Sequence, residues 1–191
     1  MFLLSCGDVL EILSSQKVCD KIKIYGDFDN DFGNVLIKKY TDKNKLIDNI
    51  TIKEIEIKQY YDFLCINYDN YQICFQSKED YEKYYCDINH KIRHNHARLF
   101  GLFKKQDNLQ LIAVCGILFK TKNLKYLGGI CTKKELRKNG FGKIITDYCS
   151  CFENTNSYLF TENEKLTKYY NSLDYNIIGN WSVLKKKFLS L

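Results

Sequence analysis

Residues 128–143 read Gly-Gly-Ile-Cys-Thr-Lys-Lys-Glu-Leu-Arg-Lys-Asn-Gly-Phe-Gly-Lys. A strand-like run feeds a basic loop, and the loop opens directly onto a helical pattern starting near Gly140. A chain with this stretch must place a strand end, a tight turn and a helix start at one junction. Glycine at 140 and 142 lets the backbone come close to a ligand with no Cβ in the way. Successive amide N–H groups at a helix start converge on an anion, and a pyrophosphate suits such a cradle.

Two familiar nucleotide loops fail on spacing. A Walker loop needs Gly five residues before its Gly-Lys pair and Ser or Thr after it, where this chain has Arg137 and Ile144. A dinucleotide fingerprint needs a small third residue where Ile145 stands, and parallel strand–helix–strand surroundings. What remains is an Arg-x-x-Gly-x-Gly turn, from Arg137 to Gly142, at a helix N-terminus.

With 191 residues, 45% of them apolar and 27% charged, the chain is globular in composition and long enough to bury a sizeable core. The net charge of +6 comes from 29 basic and 23 acidic residues spread along the whole length. No basic arm and no Arg/Lys cluster interleaved with stacking aromatics is present, which argues against nucleic acid as a partner. Nine cysteines, an odd number with no Cys-x-x-Cys pair, point to reduced thiols in a cytoplasmic protein. The opening Met-Phe-Leu-Leu-Ser-Cys-Gly-Asp has no basic n-region and too short an apolar run for a signal segment, and no stretch reaches membrane-spanning length. The expectation is a soluble protein with no membrane partner.

The spacing of apolar residues predicts a short helix over 3–13, strands at 19–26 and 34–41 around an Asp- and Asn-rich turn at 27–33, a helix over 52–64 and a strand at 71–75. Ser77 has Asp80 three residues on and reads as the N-cap of a helix over 78–90. Runs at 98–104, 109–120 and 124–132 form an antiparallel meander. A helix over 140–152, a strand at 158–161, a helix over 164–173 and a closing hairpin of 176–179 with 181–188 complete the chain. The boundary between a small N-terminal αβ region, 1–76, and the core, 77–191, is placed near residue 76.

Cys86, His90 and His94 stand four residues apart, with His96 beyond. That spacing puts three ligand types on one helix face, yet no second cluster completes a closed site, so no metal is expected. The acidic turn at 29–31 lacks the spacing and terminal Glu of a calcium loop.

The order of meander, Arg-x-x-Gly-x-Gly loop, helix, strand and Asn-led helix resembles the GCN5-related N-acetyltransferase (GNAT) family over residues from about 86 to 188. Two separated motifs carry the resemblance. The first is the stretch from Gly128 to Gly142; the second is Asn-Glu-Lys-Leu-Thr-Lys-Tyr-Tyr-Asn-Ser-Leu-Asp-Tyr at 163–175, similar to the family's Asn-x-x-Ala-x-x-x-Tyr-x-x-Leu-Gly-Phe. Lys134, Leu166 and Asp174-Tyr175 depart from the family's usual Pro, Ala and Gly-Phe.

The resemblance implies an α+β fold with a mixed, mostly antiparallel sheet flanked by helices, and acetyl-CoA as co-substrate. It implies that Ile130, Cys131 and Thr132 offer backbone groups to pantetheine. Arg137, Lys138, Asn139, Gly140, Phe141, Gly142 and Lys143 would hold the pyrophosphate, with Asn163 near the cofactor arm. Tyr170 aligns with the family's usual acid, since a phenol titrating near roughly 10 keeps its proton at neutral pH and can give it to a departing thiolate. Glu162 is the candidate base, taking the amine proton through water. The implied activity is transfer of an acetyl group to the primary amine of a small molecule or peptide. The alternative is a non-catalytic CoA-binding or regulatory module of the same fold.

Overall fold

The computed structural model describes residues 3–6, 9–14, 28–40, 49–68, 77–105 and 109–186. The expected strands at 19–26 and 71–75 and the boundary near residue 76 lie outside the described residues. The chain forms two compact units, Lys39–Ser157 and Met1–Lys38 with Tyr158–Leu191. The fold is α+β, with mostly antiparallel strands and flanking helices.

In the Lys39–Ser157 unit the strand order is β7-β6-β5-β4, where β4 is Ile50–Glu54, β5 Arg98–Lys105, β6 Leu109–Lys120 and β7 Leu124–Thr132. Each neighbouring pair is antiparallel. Both faces are covered, and side chains alternate between two cores. Phe100, Leu102, Ala113 and Cys115 point to one core with Ile145 and Cys149 of helix α3 (Phe141–Cys151). Leu99 and Val114 point to the other, with Ile57, Tyr60 and Leu64 of α1 (Ile57–Asn67) and Ile88 of α2 (Lys78–Arg93). Burial on both faces is why β6 reads as an almost unbroken apolar run rather than an alternating one. A fully buried leucine such as Leu64 or Leu102 stabilises the unit by about 1.5–3 kcal/mol.

The α2 start follows the sequence expectation. Asp80 N donates to Ser77 Oγ at 3.1 Å, and Ser77 N donates to Asp80 Oδ2 at 3.2 Å. This reciprocal cap satisfies two backbone donors that the first turn leaves unpaired. The meander strands also stand where the periodicity places them.

The Met1–Lys38 and Tyr158–Leu191 unit departs from the sequence reading in three places. Its strand order is β1-β2-β9-β3-β8, where β1 is Leu3–Cys6, β2 Val9–Ser14, β3 Phe28–Lys38, β8 Asn156–Thr161 and β9 Asn176–Lys186. The helix expected over 3–13 is a pair of strands: Cys6 pairs with Val9, leaving Gly7-Asp8 between them, and β2 pairs along β9 from Val9↔Lys185 to Ser14↔Asn180. Tertiary pairing overrides a weak helical period here.

The turn expected at 27–33 lies mostly within β3. Gly33 serves close packing: a Cβ there would lie 1.8 Å from Thr161 O and 2.6 Å from Trp181 Nε1. The expected closing hairpin is one strand, β9, paired with β2 on one side and β3 on the other. Its Gly-Asn pair stays in the ladder, Gly179 opposite Val35 and Asn180 opposite Asn34, and the irregularity falls one residue earlier, where Leu36 pairs with Ile177 and Ile178 is the extra residue.

Candidate functional site

The glycine loop grows out of a bulge in β7. Gly128 pairs with Gly116 and Cys131 with Val114, so two residues, Gly129 and Ile130, face the single Cys115. Gly129 is left-handed, φ +56°. The bulge is pinned by Tyr60 of α1, whose hydroxyl donates to Gly128 O at 3.0 Å and Gly129 O at 3.1 Å. Ile130 is half-buried and packs on the α3 side, while Cys131 is buried on the α1 side. Thr132 pairs with Ala113, and Lys133 N donates to Ile112 O at 2.9 Å as the ladder ends.

A 3-10 turn over Lys134–Leu136 follows, then Lys138 in the left-handed region at φ +66° and Gly140 at φ +82°. Asn139 Nδ2 ties the turn together by donating to Leu136 O at 3.2 Å and Arg137 O at 3.4 Å. Gly140 is the N-cap of α3, no side chain caps the helix, and its first turn holds no acid. The first amide of this helix to bond back is Ile144, N to Gly140 O at 3.1 Å, so the N–H groups of Phe141, Gly142 and Lys143 precede the ladder. A Cβ on Gly140 would meet nothing within 4 Å, so the space beside it is open. Lys138 and Lys143 are exposed at this opening. The backbone here is arranged to receive an anion.

Arg137 is placed in the loop with its guanidinium directed at the scaffold. Nη2 donates to Asn67 O at the end of α1, and Nε donates to Thr132 O at 3.4 Å. Asn67 completes the brace: its Oδ1 accepts from Lys134 N at 3.2 Å and its Nδ2 donates to Phe63 O at 3.0 Å. Tyr60 and Asn67 escaped sequence reasoning, because each meets the loop across about seventy residues of chain and no local pattern marks such a contact.

The remaining expected site residues belong to the other unit. Asn163 caps α4 (Glu164–Asn171), accepting from Leu166 N at 2.9 Å, so its side chain is engaged by its own helix. Glu162 stands exposed between β8 and α4. Tyr170 is buried at 8% exposure, whereas adjacent Tyr169 is 38% exposed, so the two face different surroundings. The Tyr170 ring packs edge-on against Tyr169 and Tyr175, with centroids 5.0 and 5.8 Å away. Asp174 takes the left-handed turn after the helix, φ +67°, a conformation Asp tolerates better than most residues.

The histidines at the end of α2 are spread over two tasks. The His90 and His94 rings lie 4.5 Å apart, while His96 Nδ1 donates to Lys120 O at 3.2 Å and its ring stacks on Phe119. His94, His96, Lys120 and Glu153 line a cleft of about 370 Å³, in which Lys120 is paired to Glu153 at 2.5 Å. Cys86 is exposed.

No family model matches the sequence, and no curated protein matches it. Solved structures do. A functionally uncharacterised conserved protein from Staphylococcus epidermidis is 15% identical with a TM-score of 0.60, over 84% of this chain and 64% of that one. A GCN5-related N-acetyltransferase from Kribbella flavida is 14% identical with a TM-score of 0.56, over 84% of this chain and 60% of that one. The chain thus spans less than two thirds of the length of these two. A GNAT-family protein from Novosphingobium aromaticivorans is matched over 97% of this chain and 92% of its own, at 11% identity and a TM-score of 0.55. Likeness at such identities speaks for architecture alone, and the architecture of this chain is that of the GCN5-related N-acetyltransferases.

Proposed function

We propose that the protein is an acetyl-CoA-dependent N-acetyltransferase acting on the amine of a small molecule or peptide. The observation that carries this reading is the start of α3: two left-handed residues, Lys138 and Gly140, then amides with no side-chain cap and no acid in the first turn. A diphosphate fits that cradle, because it accepts several N–H bonds at once and is favoured by the positive helix end. The backbone from Arg137 to Lys143 would hold it, and the strand-edge groups of Ile130, Cys131 and Thr132 would take the pantetheine arm.

When bound, acetyl-CoA supplies the acetyl group as a thioester. As the amine nitrogen bonds to the carbonyl carbon and the carbon–sulfur bond breaks, the Tyr170 hydroxyl gives its proton to the departing sulfur. Glu162, exposed at the head of α4, receives the proton that the amine loses, through water. Proton transfer by a positioned acid contributes on the order of a hundredfold or more.

Gly140→Asp tests the cradle. The space around that position is open, but its φ of +82° strains any side chain, so Gly140→Ala is the control that carries the strain without the charge, while the Asp carboxylate adds repulsion of a diphosphate. Calorimetric affinity for acetyl-CoA is expected to fall by at least about tenfold. Unchanged affinity would remove the loop as the binding site. A screen for acetyl-CoA consumption over amines, peptides and aminoglycosides separates an enzyme from a CoA-binding module, which would bind without turnover.

A further inference from the structure

Thr167 lies on α4 three residues ahead of Tyr170, and both are buried while Lys168 and Tyr169 between them are exposed. Residues three apart share a helix face. Several hydrogen bonds meet at the Thr167 hydroxyl. Asn34 Nδ2 donates to it at 3.1 Å, it donates to Asn163 O at 3.0 Å, and Thr161 Oγ1 lies 2.7 Å away. A hydroxyl has one proton and two lone pairs. Either hydroxyl can be the donor at 2.7 Å, and the Thr161 hydroxyl also has Asn34 O within reach as an acceptor at 3.5 Å, so β3 meets the pair through both the side chain and the carbonyl of Asn34. Both buried hydroxyls have hydrogen-bond partners within this network. The same Thr161 holds Trp181, whose Nε1 donates to the Thr161 carbonyl at 3.1 Å.

Asn34 is on β3, 133 residues before Thr167. An eight-residue helix such as α4 has little stability of its own, so its rotation and depth are set by tertiary bonds. The Asn34 and Thr161 bonds act one turn from Tyr170, on its own face of the helix. We propose that Asn34, Thr161 and Thr167 are positioning residues for Tyr170, which makes the N-terminal strand β3 part of the catalytic apparatus. This rests on the acetyltransferase reading above. A misplacement of a catalytic group by about 1 Å can cost up to a hundredfold in rate, and loss of this network should register in kcat rather than in acetyl-CoA binding.

The test is steady-state kinetics of the full chain with acetyl-CoA and an amine identified by the screen. Thr167→Val keeps the shape and removes the hydroxyl; Thr167→Ser keeps the hydroxyl. For Thr167→Val, kcat is expected to fall on the order of tenfold with the KM for acetyl-CoA changed less than about twofold, and Thr167→Ser should recover most of the loss. In a Tyr170→Phe background Thr167→Val should cost little more, because the group it positions is gone. Asn34→Ala, which removes one donor at the rim of the network, is read in the same way should Thr167→Val fail to fold. Wild-type kcat in these variants, or a loss that persists undiminished beside Tyr170→Phe, overturns the positioning role while leaving the acetyltransferase reading in place. A wild-type protein that neither binds acetyl-CoA nor consumes it with any amine overturns both.

Discussion

Lys125 shows how one buried side chain sets a pH dependence. It stands in β7 at 1% exposure and gives a hydrogen bond to Phe152 O. Burial pushes its amine down to about 8, and the nearby Cys149, Cys151, Glu153 and Cys115 only partly oppose that. Below pH 8 the amine is charged in both the folded and the unfolded chain, and folding bears the full desolvation cost. Between about 8 and the ordinary 10.5 the folded amine is neutral while the unfolded one keeps its proton, so the unfolded chain binds more protons and stability rises with pH. Lys125→Met removes that rise. Denaturant unfolding at pH 7.5, 8.5 and 9.5 should show the wild type gaining on Lys125→Met at each step, and a constant difference would mean that this amine does not carry the penalty. Among the site residues the same scale separates two groups. The turn into a helix at Gly140 could be read from sequence because a glycine at a helix start is a local signal, whereas the left-handed conformation of Lys138 came only with the structure. The engagement of Arg137 by Asn67, and of Asn163 by its own helix, depends on partners that residue type does not reveal.

Among the elements, the bulge of β7 is the one on which the loop's placement depends. It requires φ +56° at Gly129 and room for the Tyr60 hydroxyl, since a Cβ at residue 129 would lie 1.9 Å from Tyr60 Oη. Gly129→Ala should therefore destabilise the protein by about 2 kcal/mol or more, through backbone strain and overlap together. Tyr60→Phe alone should cost about 1 kcal/mol, by taking the donor from two carbonyls. Combined, the two changes should cost less than their sum, because the phenyl ring relieves the closest overlap; strict additivity in a denaturant double-mutant cycle would contradict this picture. Elements set by local rules were legible: the Ser77 cap, the meander strands and the start of α3 stand where the sequence places them. The segment 3–13 was not, since apolar residues at mixed spacing suit a helix or two short strands, and the choice falls to pairing with β9.

At the scale of the whole molecule, the chain's N-terminal strands close its C-terminal strand. β9 has β2 on one side and β3 on the other, paired over Val9–Ser14 and Phe28–Ile37. Removing residues 1–38 would strip β9 of both partners and expose two unpaired edges, which favour aggregation. Hydrogen exchange of such a truncated chain should show the amides of Asn176–Lys186 losing protection by orders of magnitude relative to the full chain; retained protection would show that β9 finds its order elsewhere. The sequence by itself determined the features whose cause lies within a few residues: the order of strand, basic glycine turn and helix start from Gly128 to Lys143, the capped α2, and the meander strands. Only the tertiary structure decided that Gly33 makes room for Thr161 and Trp181, that Tyr60 and Asn67 brace the loop, and that Asn34 reaches Thr167. Those contacts join residues from about 70 to almost 150 positions apart in sequence, and a side chain's partner at that distance is fixed by strand order and packing, which local periodicity does not encode.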